Sequence, residues 1–306
     1  MKLNRKSIYI LLAVVLLAGL LVYNINSSGV DNGREVKQNL ENTEIISIGT
    51  IGDDAVRKIE LFQPTADYIA EKLSDNKTTY KGKVIIAKTL DNLSDLLKEQ
   101  KVDLFVESPL TAAVIANKSG SVPFLRRWKN GIGYYYSVFI VRKNSSISTA
   151  DDLVGKTVIF EDPASTSGYL LPKAYLRQKG YSLNQPAGEN SIGFVFSGND
   201  DNTPIWVIEG KADAGVMSDI DFKKLPDTQK SELRIIDRTT DLPRHIVSRR
   251  SDLDPVMVEK IRQILLDMDK DPVGIGIMND FEKTKKYDEI TGDEMNNINK
   301  IFNSLE

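Results

Sequence analysis

From Glu44 onward, short apolar runs alternate with amphipathic stretches, and that alternation limits the chain to an α/β architecture in which helices cover a mostly parallel sheet. Residues 45–49, 83–87 and 103–106 read as strands. Residues 55–73, 90–99 and 110–117 read as helices, the last opened by Pro109 at its first position. After Gly131-Ile-Gly133 the run Tyr134-Tyr-Tyr136 leads into a strand over 137–142, and a second α/β series starts at Ser148. It holds strands at 156–160, 192–196 and 214–217 and helices at 169–179 and 204–210. Residues 233–236 lead back to two helical stretches, 255–268 and 291–305. With 306 residues the chain can bury two medium cores, so the order predicts one lobe from 44–135 and 237–306 and a second from 136–236, joined by two crossovers. Ligands of such sheets bind beyond the carboxyl ends of the strands. Facing lobes therefore put their strand ends around one cleft, which closes about the crossovers.

Within the second series, Glu161-Asp-Pro-Ala-Ser-Thr-Ser-Gly168 feeds three hydroxyls and a glycine into the first turn of a helix. A helix start offers unpaired N–H groups and a favourable dipole to a small anion, and Ser165, Thr166 and Ser167 add side-chain donors. The same residue types also serve as plain N-caps, and the pattern alone leaves both uses open.

Charge and composition exclude several alternatives. The net charge is -3, with acidic and basic residues interleaved, so there is no basic stripe for nucleic acid. The absence of cysteine removes disulfides, thiolate metal sites, cysteine nucleophiles and a lipid-modified N-terminal cysteine. A single histidine, His245, is too few for a histidine zinc site, and neither a metal nor a cofactor is expected. A serine nucleophile at Ser165 or Ser167 lacks a nearby imidazole or lysine base, so the chain does not read as an enzyme.

At the N-terminus, Lys2, Arg5 and Lys6 precede an apolar run from Ile8 to Tyr23 and a polar stretch rich in Ser, Gly, Asn and Asp. Residues 1–28 are expected to be a signal anchor or a signal peptide, with an uncleaved anchor favoured because no small-x-small cleavage site follows, and 29–43 a tether. The basic end stays in the cytoplasm and the rest lies outside, at the membrane if anchored and secreted if cut.

The stretch Asp162 to Pro172, taken with the strand 137–142 and with Gly210-Lys-Ala-Asp-Ala-Gly215, resembles the phosphonate, phosphite and phosphate binding proteins of ABC importers, and the similarity runs from about Ile45 to about Met268. The resemblance implies a type II periplasmic-binding-protein-like fold, two α/β lobes with a ligand cleft between them. It also implies that Ser165, Thr166 and Ser167 cradle the oxyanion. At other family positions this chain departs. Asp200 stands where the family has a histidine after a strand ending Phe-x-Gly, and capping of the next helix is its other reading. Ser108 replaces the glycine of a Gly-Pro step, with Ala112 in the place of a tyrosine, and Ser108 and Glu107 are open either to ligand contact or to capping the helix at Pro109. Arg244 and His245 occupy a cleft loop where the family presents an acid to a ligand amine. Asp219 is a further candidate for the cleft, whereas Asp213, Trp206 and Tyr134 to Tyr136 read more simply as structural.

The resemblance points to an extracytoplasmic receptor that captures a small phosphorus oxyanion and hands it to an ABC permease, as a monomer. A sensory module read by a signalling partner is the alternative, which the fold cannot separate.

Overall fold

The computed structural model describes residues 42–305. The expected signal segment and all but the end of the tether lie outside these residues, and Asn42 and Thr43, assigned above to the tether, already belong to the first strand.

Two six-stranded sheets form the frame. The first is built from β1 (Asn42–Ile51), β2 (Thr78–Ala87), β3 (Leu104–Glu107), β4 (Val122–Arg127), β13 (His245–Arg249) and β14 (Tyr287–Glu289), in the order β14-β4-β13-β3-β1-β2. The second contains β6 (Ser137–Arg142), β7 (Thr157–Phe160), β8 (Ser182–Asn184), β9 (Ser191–Phe196), β10 (Ala214–Ser218) and β11 (Leu233–Arg238), in the order β11-β6-β10-β7-β9-β8. Short strands β5 (Tyr134–Tyr135) and β12 (Leu242–Pro243) lie on the two crossovers and pair antiparallel with each other. The expectation of mostly parallel sheets is corrected. β13 runs antiparallel to both β3 and β4, β14 antiparallel to β4, and β6 antiparallel to both β10 and β11. The returning chain enters each sheet from the opposite end, so only β1 to β3 and β7 to β10 keep the parallel order of βαβ units.

Period-two burial explains how each sheet carries helices on both faces. Leu104 and Val106 enter one core with Ile48, and Phe105 between them enters another. Phe139 and Val141 pack with Val158 and Phe160, while Val138 and Ile140 turn to the opposite face with Ile159. Helix α1 (Ala55–Leu73) begins where Asp54 accepts the Arg57 N–H at 3.1 Å, and its stripe Phe62, Ala66, Ile69 and Leu73 is buried at helical spacing. It approaches β2 so closely that a Cβ on Gly82 would lie 2.4 Å from the Ala66 carbonyl carbon, so only glycine fits there.

Helices α2 (Leu90–Lys98) and α3 (Pro109–Ser119) follow on the other face of the first sheet. Helices α4 (Leu171–Gln178), α5 (Asn202–Ile208), α6 (Asp219–Lys224) and α7 (Asp227–Glu232) belong to the second lobe. After β13 come α8 (Pro255–Leu266), α9 (Pro272–Asp280) and α10 (Gly292–Asn303). The core beneath α3 also takes Leu170, Leu171 and Ala174 from the second lobe and Ile298 and Ile301 from α10. Burial of these apolar groups holds the lobes together in this conformation. No helix among the described residues is long and apolar enough to cross a membrane.

Candidate functional site

A cleft of about 1270 Å³ opens between the lobes at the carboxyl ends of the parallel strands. Its walls include Ile51 at the end of β1, Lys88 just beyond β2, Glu107 at the end of β3, and Glu161 just beyond β7. Arg57 and Lys58 reach it from the first turn of α1, a place where the helix dipole disfavours positive charge, so an anionic partner in the cleft suits them.

The turn after β7 is held by its own side chains. Ser165 caps it by accepting the Gly168 N–H at 3.0 Å and donates its hydroxyl to Glu161 Oε2 at 2.6 Å. Gly168 is required by this closeness, because a Cβ there would stand 2.4 Å from both Cβ and Oε2 of Glu161. The chain then makes a π-helical turn, Thr166–Leu170, before α4 starts, which explains why the helix expected from residue 169 begins later. First-turn N–H groups have no intrahelical acceptor, and those of Thr166 and Ser167 take none elsewhere among the described residues.

Thr166 is buried and leaves its own lobe. Its Oγ1 accepts from the N–H groups of Leu110 and Thr111, at 3.2 and 3.3 Å, in the first turn of α3, and lies 2.8 Å from Ser108 Oγ. Thr111 returns a hydrogen bond to the Ala164 carbonyl at 2.7 Å. A side chain from the second lobe therefore occupies the helix start in the first lobe that an anion would otherwise suit.

Asp200 is brought to the same wall by the continuation of β9. Ser197 N–H donates to the Phe160 carbonyl and Gly198 N–H to the Glu161 carbonyl, each at 2.8 Å. The capping expected of Asp200 is performed by Asn199, whose Oδ1 accepts the Asn202 N–H at 3.0 Å, so the Asp200 carboxyl is left facing the cleft beside Glu161. Burial, then the charge and hydrogen bonding of Asp200, push the Glu161 carboxyl up to about 8. Burial likewise raises Asp200, aided by Asp221 and Asp201, while Glu161 and Arg244 pull it down.

Ser165, Ser108 and Asp200 thus line the cleft, and Thr166 is spent on the contact between lobes. Ser167 is half-buried, and its carbonyl accepts from Ser137 Oγ at 2.8 Å. The segment carrying Arg244 and His245 is not a loop over the cleft. Leu242 and Pro243 form β12, and His245 begins β13 opposite Arg127. The apolar pair Ile246 and Val247 draws this segment into the first sheet, so neither Arg244 nor His245 is on the cleft wall. Arg244 is nine-tenths buried and lies over the Tyr135 ring at 4.6 Å, with its Nε unpartnered. Burial and the nearby charges of Lys129, Arg127 and Arg244 hold His245 well below its ordinary value, so it adds no positive charge near neutral pH. Asp219 serves the crossover, accepting the Tyr136 N–H at 3.1 Å and pairing with Lys223 at 2.6 Å. Asp213 accepts the Thr157 N–H at 2.9 Å.

Glu161, Arg57, Lys58 and Lys88 had no assigned role in the sequence. Their shared signal is position, since each stands at a strand end or in the helix turn that follows one.

The model of the family described as "ABC transporter, phosphonate, periplasmic substrate-binding protein" matches residues 50–295. The chain belongs to this family. Phosphate-import protein PhnD of Mycolicibacterium smegmatis is 24% identical over 202 residues, which are 62% of this chain and 63% of that protein. The match therefore spans less than two thirds of that relative's length. XAC2383 from Xanthomonas citri bound to chloride ion superposes with a TM-score of 0.78 at 25% identity, covering 85% of this chain and 97% of that one. PhnD1 from Prochlorococcus marinus in complex with methylphosphonate gives 0.63 at 21% identity, covering 85% and 98%. Both structures share the type II architecture of two mixed α/β lobes seen in this family member.

Proposed function

We propose that the chain is an extracytoplasmic solute-binding protein that captures a small phosphorus oxyanion, phosphate, phosphite or phosphonate, in the interlobe cleft and delivers it to an ABC permease. Its N-terminal segment keeps it at the outer face of the membrane. The carrying observation is the cleft itself, where strand ends of both lobes meet and Arg57, Lys58 and Lys88 line the wall facing the Ser165 turn. The import role given in the name of the mycobacterial relative agrees with this reading. Several neutral donors and a few cations strip water from an oxyanion and replace it with hydrogen bonds, without any bond being broken.

A ligand that binds only the folded state raises the melting temperature by mass action. A thermal-shift panel of phosphate, phosphite, methylphosphonate and sulfate should give a concentration-dependent rise for at least one phosphorus anion. A flat response to all of them would end the solute-binding reading.

A further inference from the structure

The two walls of the cleft ask for different things. Among the described residues, Arg57, Lys58 and Lys88 have no carboxylate within ion-pair reach and Lys118 is paired with Asp91, while Asp53 and Glu107, the latter in the field of Lys58, stand on the same wall. Opposite them stands a carboxyl pair, Glu161 and Asp200, to which the Ser165 hydroxyl alone donates among the described residues. A fully ionised anion suits the first wall and is repelled by the second. A bridging metal ion would reconcile them, yet no group of three or more His, Asp or Glu suited to hold one exists among the described residues. A proton carried by the ligand reconciles the two walls with the groups already present, because a hydroxyl can donate to a carboxylate.

With the solute-binding reading above as premise, we propose that the Glu161 and Asp200 pair is the selectivity element of the cleft. It accepts a hydroxyl from a hydrogen oxyanion, so the ligand class is a partly protonated phosphate or phosphonate and not a fully ionised tetrahedral anion such as sulfate.

Geometry sets up this choice. Glu161 is fixed by Ser165 Oγ at 2.6 Å and by the tight approach of Gly168, and the β9 continuation bonded to β7 fixes the backbone before Asp200. The groups that bear on the pair are Asp162 in the turn, Asp201 beside it, Asp221 on α6, and Arg244 on the crossover. Arg244 is a nine-tenths-buried guanidinium with no carboxylate partner among the described residues, close enough for its charge to draw Asp200 down. Burial and the neighbouring Asp200 charge keep the Glu161 proton in place to about pH 8, and the remaining carboxyl lone pairs of the two groups are free to accept a hydroxyl. A hydrogen phosphate offers them its hydroxyl and keeps ionised oxygens for the cationic wall. Sulfate has no proton to offer.

Titration calorimetry with inorganic phosphate and with sulfate near neutral pH tests this. Wild-type protein should prefer phosphate by about 100-fold or more, since a site built to accept a hydroxyl rejects an analogue lacking it. Asp200→Asn, which replaces an acceptor by a donor of the same shape, should bring the two anions within about tenfold, chiefly by admitting sulfate. Equal affinities in the wild type would overturn the selectivity role and leave the solute-binding reading standing. A wild-type preference that persists unchanged in Asp200→Asn would also overturn it. Binding of neither anion, nor of methylphosphonate, would remove the premise itself.

Discussion

Thr166 Oγ1 in the second lobe lies 2.8 Å from Ser108 Oγ in the first, and it accepts two further hydrogen bonds from the start of α3. That hydroxyl is one fastening between the lobes at the base of the cleft, beside the Thr111 bond to the Ala164 carbonyl and the shared apolar core. Thr166→Val keeps the shape and deletes that acceptor, leaving the Leu110 and Thr111 N–H groups buried and unpaired. The expected loss is about 1 to 3 kcal/mol, seen in calorimetry as a drop of about 2 to 10 °C in melting temperature. Small-angle scattering should show a larger radius of gyration as the lobes part. A variant with unchanged melting point and radius would show that the contact fastens nothing.

Ser165 has a different task, because it caps the turn and holds Glu161 at once. Ser165→Ala should lose about 0.5 to 2 kcal/mol of stability through the missing cap. Its donor also favours the ionised form of Glu161, so its loss moves the Glu161 titration to still higher pH. Carboxyl chemical shifts followed through a pH titration would reveal the change, and an unmoved Glu161 curve would refute the coupling.

How much of this was legible in the sequence varies with the kind of interaction that fixes each element. Helix α1 was readable to the residue, because a capping aspartate, a helical apolar stripe and the extended backbone at Ser74 all agree locally. β4 was not read at all, since Val122-Pro-Phe-Leu-Arg-Arg127 carries a proline and two arginines. Pro123 is tolerated there because it sits opposite the register shift between Val247 and Ser248. The arginines are tolerated because Asp288 and Glu294 pair with Arg126 and Glu282 with Arg127, partners that only the folded chain brings near. The candidate site divides in the same way. The Ser165 to Gly168 turn is contiguous and was visible, whereas the meeting of Glu161 with Asp200 depends on the pairing of β7 with β9.

Glu161 also sets a pH dependence whose sign is fixed. Its carboxyl is raised from 4.5 to about 8 in the folded protein, so the folded state holds its proton more tightly than the unfolded chain does. The associated stability is fully present below pH 4.5 and is lost as pH rises through about 8. The melting temperature of ligand-free wild type should therefore decline across that window. Glu161→Gln cannot titrate and should show a shallower decline. Parallel curves for the two proteins would mean that Glu161 does not carry the effect.

Arg127 presents the opposite electrostatic case, a guanidinium only 1% exposed inside the first lobe. It donates to Thr284 Oγ1 at 2.8 Å, to the Phe281 carbonyl at 3.2 Å and to Glu282 Oε2 at 2.7 Å, and lies 3.7 Å from the centre of the Phe281 ring. Lys129 Nζ adds a second contact to Glu282 at 2.8 Å. Burial pushes the Glu282 carboxyl up, but Lys129 and Arg127 outweigh it and hold it at about 2. The stability from this group is present above its ordinary value of 4.5 and is lost as pH falls through about 2. Glu282→Gln removes the negative charge and leaves the buried guanidinium uncompensated. Breaking a fully buried pair costs about 3 to 5 kcal/mol, and the partial exposure of Glu282 brings the expectation down to about 2 to 4 kcal/mol. Adding Arg127→Met removes the stranded charge, so urea unfolding of the double variant should recover part of the loss. A double variant less stable than Glu282→Gln alone would show that Arg127 matters through its bonds to Thr284 and Phe281 and not through its charge.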